Sequence, residues 1–265
     1  MWFDIDTFVL DSAQALCVAL PAAGIPAVLL RLAGRGWALI APLSVVVSVV
    51  AIAAVSASAD AITWVALLLV PPGCALALGW AAHGARPWLA PAVVPLLAIA
   101  LAAPDDPLGR AARLLLIVGS CVTVGRLLAG GTPLLFLKLG VVAMTVIDAV
   151  FIFGDLWGDQ NAAFNAAAPA EGLPRLQVAD IGDVSTDYGD YFISGLVGGI
   201  LAAERRNQGA AALATLVALQ AWNQLFLVVD SLPGTVPPTA VMLAFEVWHR
   251  GRERPGASLP VGSRG

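Results

Sequence analysis

The sequence predicts an all-α polytopic membrane protein, a chain that crosses the bilayer many times as helices. Hydrophobic residues make up 59% of the chain and charged residues 12%, whereas an average soluble domain is about 45–50% apolar and about 25% charged. Long apolar runs recur along the whole sequence, and each approaches the roughly 20 residues that a helix needs to cross the hydrocarbon core. Short breaks rich in Gly, Pro or charged residues separate the runs.

Counting these apolar runs gives nine predicted transmembrane helices. Their approximate bounds are 8–30, 36–58, 61–82, 87–103, 110–129, 132–154, 187–204, 208–230 and 235–249. The third run contains Pro71 and Pro72, which should kink or break the helix unless neighbouring helices satisfy the freed carbonyls. Many small residues along the runs favour close packing of the helices.

The arginines predict that the N-terminus lies outside and the C-terminus in the cytoplasm, because basic residues near span ends stay on the cytoplasmic side. The outside loops contain three arginines: Arg110, Arg113 and Arg175. The inside segments contain the others: Arg31, Arg35, Arg86, Arg126, Arg205, Arg206, Arg250, Arg252, Arg254 and Arg264. The only lysine, Lys138, lies near the inner end of the sixth span, so its stem can snorkel toward the cytoplasm.

This topology divides the chain into three regions. Residues 1–131 form an N-terminal five-helix region, 132–250 hold helices six to nine with an extracytoplasmic loop at 155–186, and 251–265 form a disordered basic tail in the cytoplasm. An excess of Arg over Lys with abundant Ala is typical of a GC-rich bacterial genome, which predicts a bacterial inner membrane. Because the net charge is −4 and topology accounts for the basic tail, no nucleic-acid partner is expected.

The loop between the sixth and seventh spans is the longest, and it contains one candidate strand. The stretch LPRLQVADI, residues 173–181, has an alternating pattern that favours a short strand. An irregular solvated loop is the alternative interpretation. The Gly182-Asp183 pair is followed by the polar stretch VSTD and is therefore assigned to the loop.

Most acidic residues lie in predicted outside loops and need no special explanation, but two carboxylates within spans do. Asp148 is about a turn and a half from the outer end of the sixth span, and Asp190 is within the first turns of the seventh. A charged Asp at the centre of a membrane helix costs about 2.5–3.5 kcal/mol on insertion scales, so such residues usually face the bundle interior or a water-filled cavity. Asp11 and Gln14, near the outer end of the first span, are instead predicted to be interfacial.

We expect the two aspartates at similar depth, because the sixth span leaves the membrane on the side where the seventh soon enters. Two carboxyls that share a site cannot easily both ionise, so one keeps a proton while the other is a base. One acid and one base suffice for peptide hydrolysis. The structural alternatives are an interhelical hydrogen bond from a protonated Asp148 and an Asp190 that only caps its helix.

Three motifs in this half of the chain resemble those of presenilins and signal peptide peptidases, which are intramembrane aspartyl proteases. VIDAVFIFGD resembles their sixth span, where a Tyr-Asp pair precedes an apolar run. GDYFISG resembles their seventh-span motif, Gly-x-Gly-Asp followed by apolar residues, and TVPPTAVML offers a counterpart of their Pro-Ala-Leu element. The motifs occur in the family's order on the sixth, seventh and ninth predicted spans. This resemblance implies a presenilin-like nine-helix bundle from a divergent bacterial member.

By this resemblance Asp148 and Asp190 would be the catalytic pair, and Gly189 would leave backbone room for a substrate strand. The residues that would stand where Pro-Ala-Leu shapes the floor of the site are Pro237, Pro238 and Thr239. The chain departs from the family pattern in three places: Ile147 replaces the Tyr, Asp187 replaces the first Gly of the second motif, and VPPTAV offers either Pro237 or Pro238 as the family proline.

The predicted orientation resembles that of signal peptide peptidases, which implies type II spans or signal-peptide remnants as substrates. The strand LPRLQVADI could pair with such a substrate once it unwinds. Two other functions remain open: a proton-coupled transporter or channel that uses the same carboxylates as a relay, and a catalytically inert protein that binds membrane helices. The expected partners are a transmembrane substrate and the lipid bilayer, with no cofactor and no metal.

Overall fold

The computed structural model describes residues 4–26, 29–54, 57–156, 158–170, 172–229 and 231–252. From residue 253 onward, the predicted tail lies outside the described residues. The α-helices are α1 (Ile5–Ala19), α2 (Ile40–Ala54), α3 (Ala57–Leu76), α4 (Val93–Ala102), α5 (Pro107–Gly131), α6 (Leu134–Phe153), α7 (Gly158–Ala166), α8 (Tyr188–Ala203), α9 (Gln208–Asn223) and α10 (Val236–Arg252). The strands are β1 (Val178–Ile181) and β2 (Val184–Asp187).

Each predicted span contains a helix, but the helices differ in length. Within the described residues, five helical stretches are long and apolar enough to cross a membrane. They are Arg35–Ala54, Ser58–Ala81, Pro107–Gly131, Leu134–Phe153 and Gln208–Leu227. The helices in the other predicted spans have 15 to 17 residues, fewer than the roughly 20 that cross the hydrocarbon core without help. The structure supports a polytopic membrane protein, while the nine spans and their orientation stay predictions.

Prolines have different effects in two of the helices. The first span was predicted to run to residue 30, but α1 ends at Ala19, and Pro21 and Pro26 follow it. A proline has no backbone N–H to donate to a helix, so the helical pattern stops before them. By contrast, α3 continues through Pro71 and Pro72.

The core of the molecule is the contact between α5 and α8. Every residue of α8 from Tyr191 to Ala202 is buried. Gly125 on α5 and Gly195 on α8 lie so close together that a Cβ on Gly125 would overlap the carbonyl of Gly195. Small residues at a helix crossing allow this close approach. Because α5 and α8 belong to different predicted regions, the two regions share one core.

The segment between α6 and α8 contains a short helix, α7, and a two-stranded hairpin. The predicted strand LPRLQVADI is correct only for its last four residues, which form β1. VSTD, predicted as loop, forms β2, which pairs antiparallel with β1 around a turn at Gly182 and Asp183. The chain is therefore not entirely α-helical. Since β2 ends at Asp187 and α8 begins at the next residue, the hairpin leads directly into the helix that carries Asp190.

An ion-pair cluster attaches this hairpin to α5. Asp180 on β1 lies 3.0 Å from a guanidinium nitrogen of the buried Arg113 and 3.6 Å from Arg110. Arg175 lies 4.0 Å from the same carboxylate. The three arginines assigned to outside loops therefore converge on one aspartate. Their role as partners of Asp180 explains why they lie at this end of the molecule.

Candidate functional site

Asp148 and Asp190 meet where the outer part of α6, the start of α8 and the start of α10 come together. Asp148 lies five residues before the end of α6, and Asp190 is the third residue of α8. Both aspartates are half-buried. Their helices position them in the way that the two apolar runs predicted, with each carboxylate near one end of its helix.

The turn formed by Gly234 and Thr235, just before α10, contacts both carboxylates. The Thr235 hydroxyl donates a hydrogen bond of 2.7 Å to Oδ2 of Asp148. The carboxyl of Asp190 lies against Gly234, since a Cβ on that glycine would be 2.6 Å from Oδ2 and 2.7 Å from Cγ. Gly234 and Thr235 are consecutive residues, whose Cα atoms are about 3.8 Å apart, so the two carboxyl groups border the same turn.

The first turn of α10 closes one side of this site. Pro237 and Pro238 are the second and third residues of α10 and are buried, and a first helical turn accepts proline because its N–H groups have no partner within the helix. The hydroxyl of Thr239, which is buried, forms a 2.7 Å hydrogen bond with the hydroxyl of Thr145 on α6. The three residues predicted by comparison with Pro-Ala-Leu therefore follow closely after the turn that contacts the aspartates.

The remaining predicted residue, Gly189, faces α6. A Cβ on Gly189 would lie 3.5 Å from the terminal methyl of Met144, one turn before Asp148. This is an ordinary van der Waals distance, so the glycine lies at the α6–α8 contact without a forbidden overlap. Its backbone is adjacent to Asp190, as the motif predicts.

A third carboxylate, Asp187, joins the pair. It ends β2 and immediately precedes α8. Its carboxylate interacts electrostatically with that of Asp148. The sequence comparison treated Asp187 only as a replacement for a glycine, so its membership of the carboxylate cluster (Asp148, Asp187 and Asp190) was missed.

Asp11 and Gln14 on α1 were predicted to be interfacial; their depth in the membrane stays a prediction, but the structure shows that they face the protein interior. Both are buried. The amides of Gln220 and Asn223 on α9 donate to Oδ2 of Asp11 at 2.6 and 2.9 Å, and the Gln14 amide donates to the carbonyl of Gly234 at 3.4 Å. These residues lie near the end of an apolar run, where distance from the membrane surface gives no information on which face of the helix is buried.

The arrangement has the parts that acid–base chemistry needs. Two carboxyl groups share a partly enclosed site, a hydroxyl donates to one of them, and neither forms an ion pair with a cation in the described part of the chain. Carboxyls in such surroundings divide protons unequally, so one is an acid and the other a base. In the same described residues, no group of His, Cys, Asp and Glu side chains is arranged to hold a metal ion.

No family model, curated protein or solved structure matches the chain. The resemblance to presenilins and signal peptide peptidases therefore depends on the three motifs and on the site that their residues form.

Proposed function

We propose that the protein is an intramembrane aspartyl protease that hydrolyses peptide bonds within transmembrane segments. The observation that carries this proposal is the contact of Asp148 and Asp190, from different helices, with the two adjacent residues Gly234 and Thr235. Two carboxyls that border the same turn cannot easily both ionise, so the pair is expected to hold one proton, as in aspartic proteases. The order of the three motifs along the chain gives the proposal its second support.

In the proposed reaction, the ionised member of the pair takes a proton from a water molecule. The water oxygen attacks the peptide carbonyl carbon, and the protonated member donates its proton to the leaving nitrogen as the C–N bond breaks. Thr235 donates to Asp148, which stabilises the ionised form of that carboxyl. Asp148 is therefore assigned as the base and Asp190 as the acid at the start of the cycle.

The substrates that fit the predicted orientation are type II spans and signal-peptide remnants. Such a helix must unwind before hydrolysis, and an unwound segment needs hydrogen-bond partners inside the membrane. The hairpin adjoining α8 offers an open strand edge for this purpose, since β2 is more exposed than β1. β2 thus replaces LPRLQVADI as the strand that we expect to pair with the substrate.

The test is the change of each aspartate to asparagine, Asp148→Asn and Asp190→Asn, with a type II reporter expressed in the same membrane. Asn has nearly the shape of Asp and carries no exchangeable acid, so each variant should fold and should lose cleavage by about 10²-fold or more. Asp106→Asn, at an exposed position just before α5, is the matched control for the substitution itself. A chain that cleaves the reporter equally well without either carboxylate would refute the proposal.

A proton relay is the second candidate function, because the carboxylates extend beyond a pair. Asp190 interacts electrostatically with Asp148, Asp187 and Asp11, which lie on three other elements. A row of acidic residues in a membrane protein is typical of proton pathways. A transporter of this kind would give a proton-dependent flux in vesicles that an aspartyl protease inhibitor leaves unchanged, whereas the protease would bind the inhibitor.

A further inference from the structure

A second charged cluster joins α6, α8 and α10 at the ends opposite the aspartates. We call its four residues the ionic clamp; they are Lys138, Glu204, Arg206 and Glu246. Lys138 on α6 forms an ion pair with Glu204, which follows α8, and lies 2.6 Å from Glu246 on α10. Arg206 contacts the same two carboxylates, at 2.8 and 2.7 Å. The side chains of all four are 12–18% exposed.

The ionic clamp lies on the elements that carry the candidate site. Lys138 precedes Asp148 by ten residues on α6, a rise of about 15 Å along a helix. Glu204 follows Asp190 by fourteen residues, which corresponds to about 21 Å. One end of the three-helix group therefore carries the carboxylates and the other end carries the clamp.

Helix α6 has few other attachments to its partners in this group. It packs mainly against α2, and its contacts with α8 and α10 are sparser. Near the site, it meets α10 through two hydroxyl contacts, Thr145 with Thr239 and Asp148 with Thr235. A helix held by few apolar contacts depends on its polar contacts for register.

We propose that Lys138 is a positioning residue for the aspartate pair: by pairing with Glu204 and Glu246 it fixes the register of α6 against α8 and α10. Within the clamp, Lys138 is the member that belongs to α6, so its loss detaches that helix from the rest of the cluster. Removing one partner of a poorly exposed ion pair also leaves opposing charges unbalanced, which favours rearrangement. The earlier expectation that Lys138 snorkels to the cytoplasm gave it no partner.

This inference rests on the proposed function, because it concerns the geometry of the same two aspartates. Its test therefore measures the rate of cross-linking between α6 and α10, which does not require protease activity. The reporter is Thr145→Cys with Thr239→Cys, in a chain whose buried Cys17, Cys74 and Cys121 are changed to Ala. The two threonine oxygens are 2.7 Å apart, close to the roughly 2.05 Å of a disulfide bond. Oxidation of membranes with a permeant oxidant should link α6 to α10 rapidly.

In this reporter chain, Lys138→Met should form the disulfide about tenfold more slowly, as expected for the loss of a partly buried ion pair, and Lys138→Arg should restore the rate. The matched control is Arg250→Met. Arg250 contacts the same Glu246 at 2.8 Å but lies on α10 itself and is 71% exposed, so its loss should leave the rate unchanged.

If Lys138→Met does not accumulate in membranes, Glu246→Gln weakens the same link while Lys138 keeps Glu204, and it should also slow cross-linking. A wild-type rate in the lysine or glutamate variant overturns the inference, and so does an equal slowing by Arg250→Met. Reporter cleavage is measured separately. A chain without protease activity whose cross-link still depends on Lys138 would refute the proposed function and leave the clamp intact.

Discussion

Thr235 shows how a single hydroxyl can control the candidate site. It is buried, and its hydroxyl donates a hydrogen bond to the carboxylate of Asp148. A hydrogen bond to a charged group contributes about 1.5–3 kcal/mol. We therefore expect Thr235→Val, which keeps the shape and removes the donor, to lower kcat for reporter cleavage by about tenfold or more.

Thr235→Ser supplies the control for this prediction, because it retains the hydroxyl and loses only a methyl group. It should keep most of the activity. The pH profile provides a second measurement: without the donor, the ionised form of Asp148 is less favoured, so the acidic limb of the Val variant's profile should move to higher pH. Equal losses in the Val and Ser variants would mean that packing, and not the hydrogen bond, matters at this position.

The sequence predicts the site residues that are energetically costly to place in an apolar span. It misses the residues that cost little where they lie. Asp148 and Asp190 are conspicuous because a carboxylate in an apolar run needs an explanation. Gly234 and Thr235 lie in a short polar stretch between helices, where such residues are ordinary. The ion pairs of Lys138 join residues that are 66 and 108 positions apart in the sequence. A local sequence pattern cannot predict contacts between such distant residues.

In the hairpin, one edge of strand β2 faces away from its partner β1. Tyr188 donates its backbone N–H to the Gln177 carbonyl, which identifies the 177–188 pair as hydrogen-bonded. In an antiparallel ladder such pairs alternate with pairs whose polar groups point outward. Ser185, paired with Asp180, is in an outward-pointing pair, so its N–H is directed toward the free edge of β2.

We predict that Ser185→Pro lowers cleavage of a transmembrane reporter while the hairpin stays folded. Proline removes the outward N–H with which an added substrate strand would pair, and it leaves the β1–β2 hydrogen bonds intact. The measurement is the cleavage rate together with protection of the hairpin from limited proteolysis. Thr186→Pro is the contrasting variant, since Thr186 is in an inward-pointing pair and its change should unfold the hairpin. Normal cleavage by Ser185→Pro would exclude strand addition at β2.

The helices could be located from sequence because a membrane helix needs a long apolar run, and such runs are easy to detect. The hairpin could be found only in part. β1, VADI, has three apolar residues of four, whereas β2, VSTD, is mainly polar, a pattern equally typical of a loop. Its strand conformation depends on pairing with β1 and on the attachment of Asp180 to α5. Neither contact can be predicted from the residues of β2 alone.

Across the whole molecule, charged residues gather at two ends of the bundle. One end carries the Asp180 cluster with its three arginines, and the other carries the ionic clamp together with Arg250. The clamp end contains an excess of basic groups whose loops were assigned to the cytoplasm. The site lies nearer the Asp180 end, because Asp190 follows the hairpin directly. The predicted orientation therefore sets the side of the membrane from which water reaches the aspartates.

We predict that the hairpin end is extracytoplasmic and that the loop before α2 is cytoplasmic. Two exposed positions report on this, Asp183 at the hairpin turn and Ala33 in the loop between the first two predicted spans. In a chain whose native cysteines are changed to Ala, an impermeant thiol reagent should label Asp183→Cys in intact spheroplasts. It should label Ala33→Cys only after the membrane is opened, because basic residues such as Arg31 and Arg35 hold that loop inside. The reverse labelling pattern would invert the topology, and substrates would then be expected to have their N-termini outside.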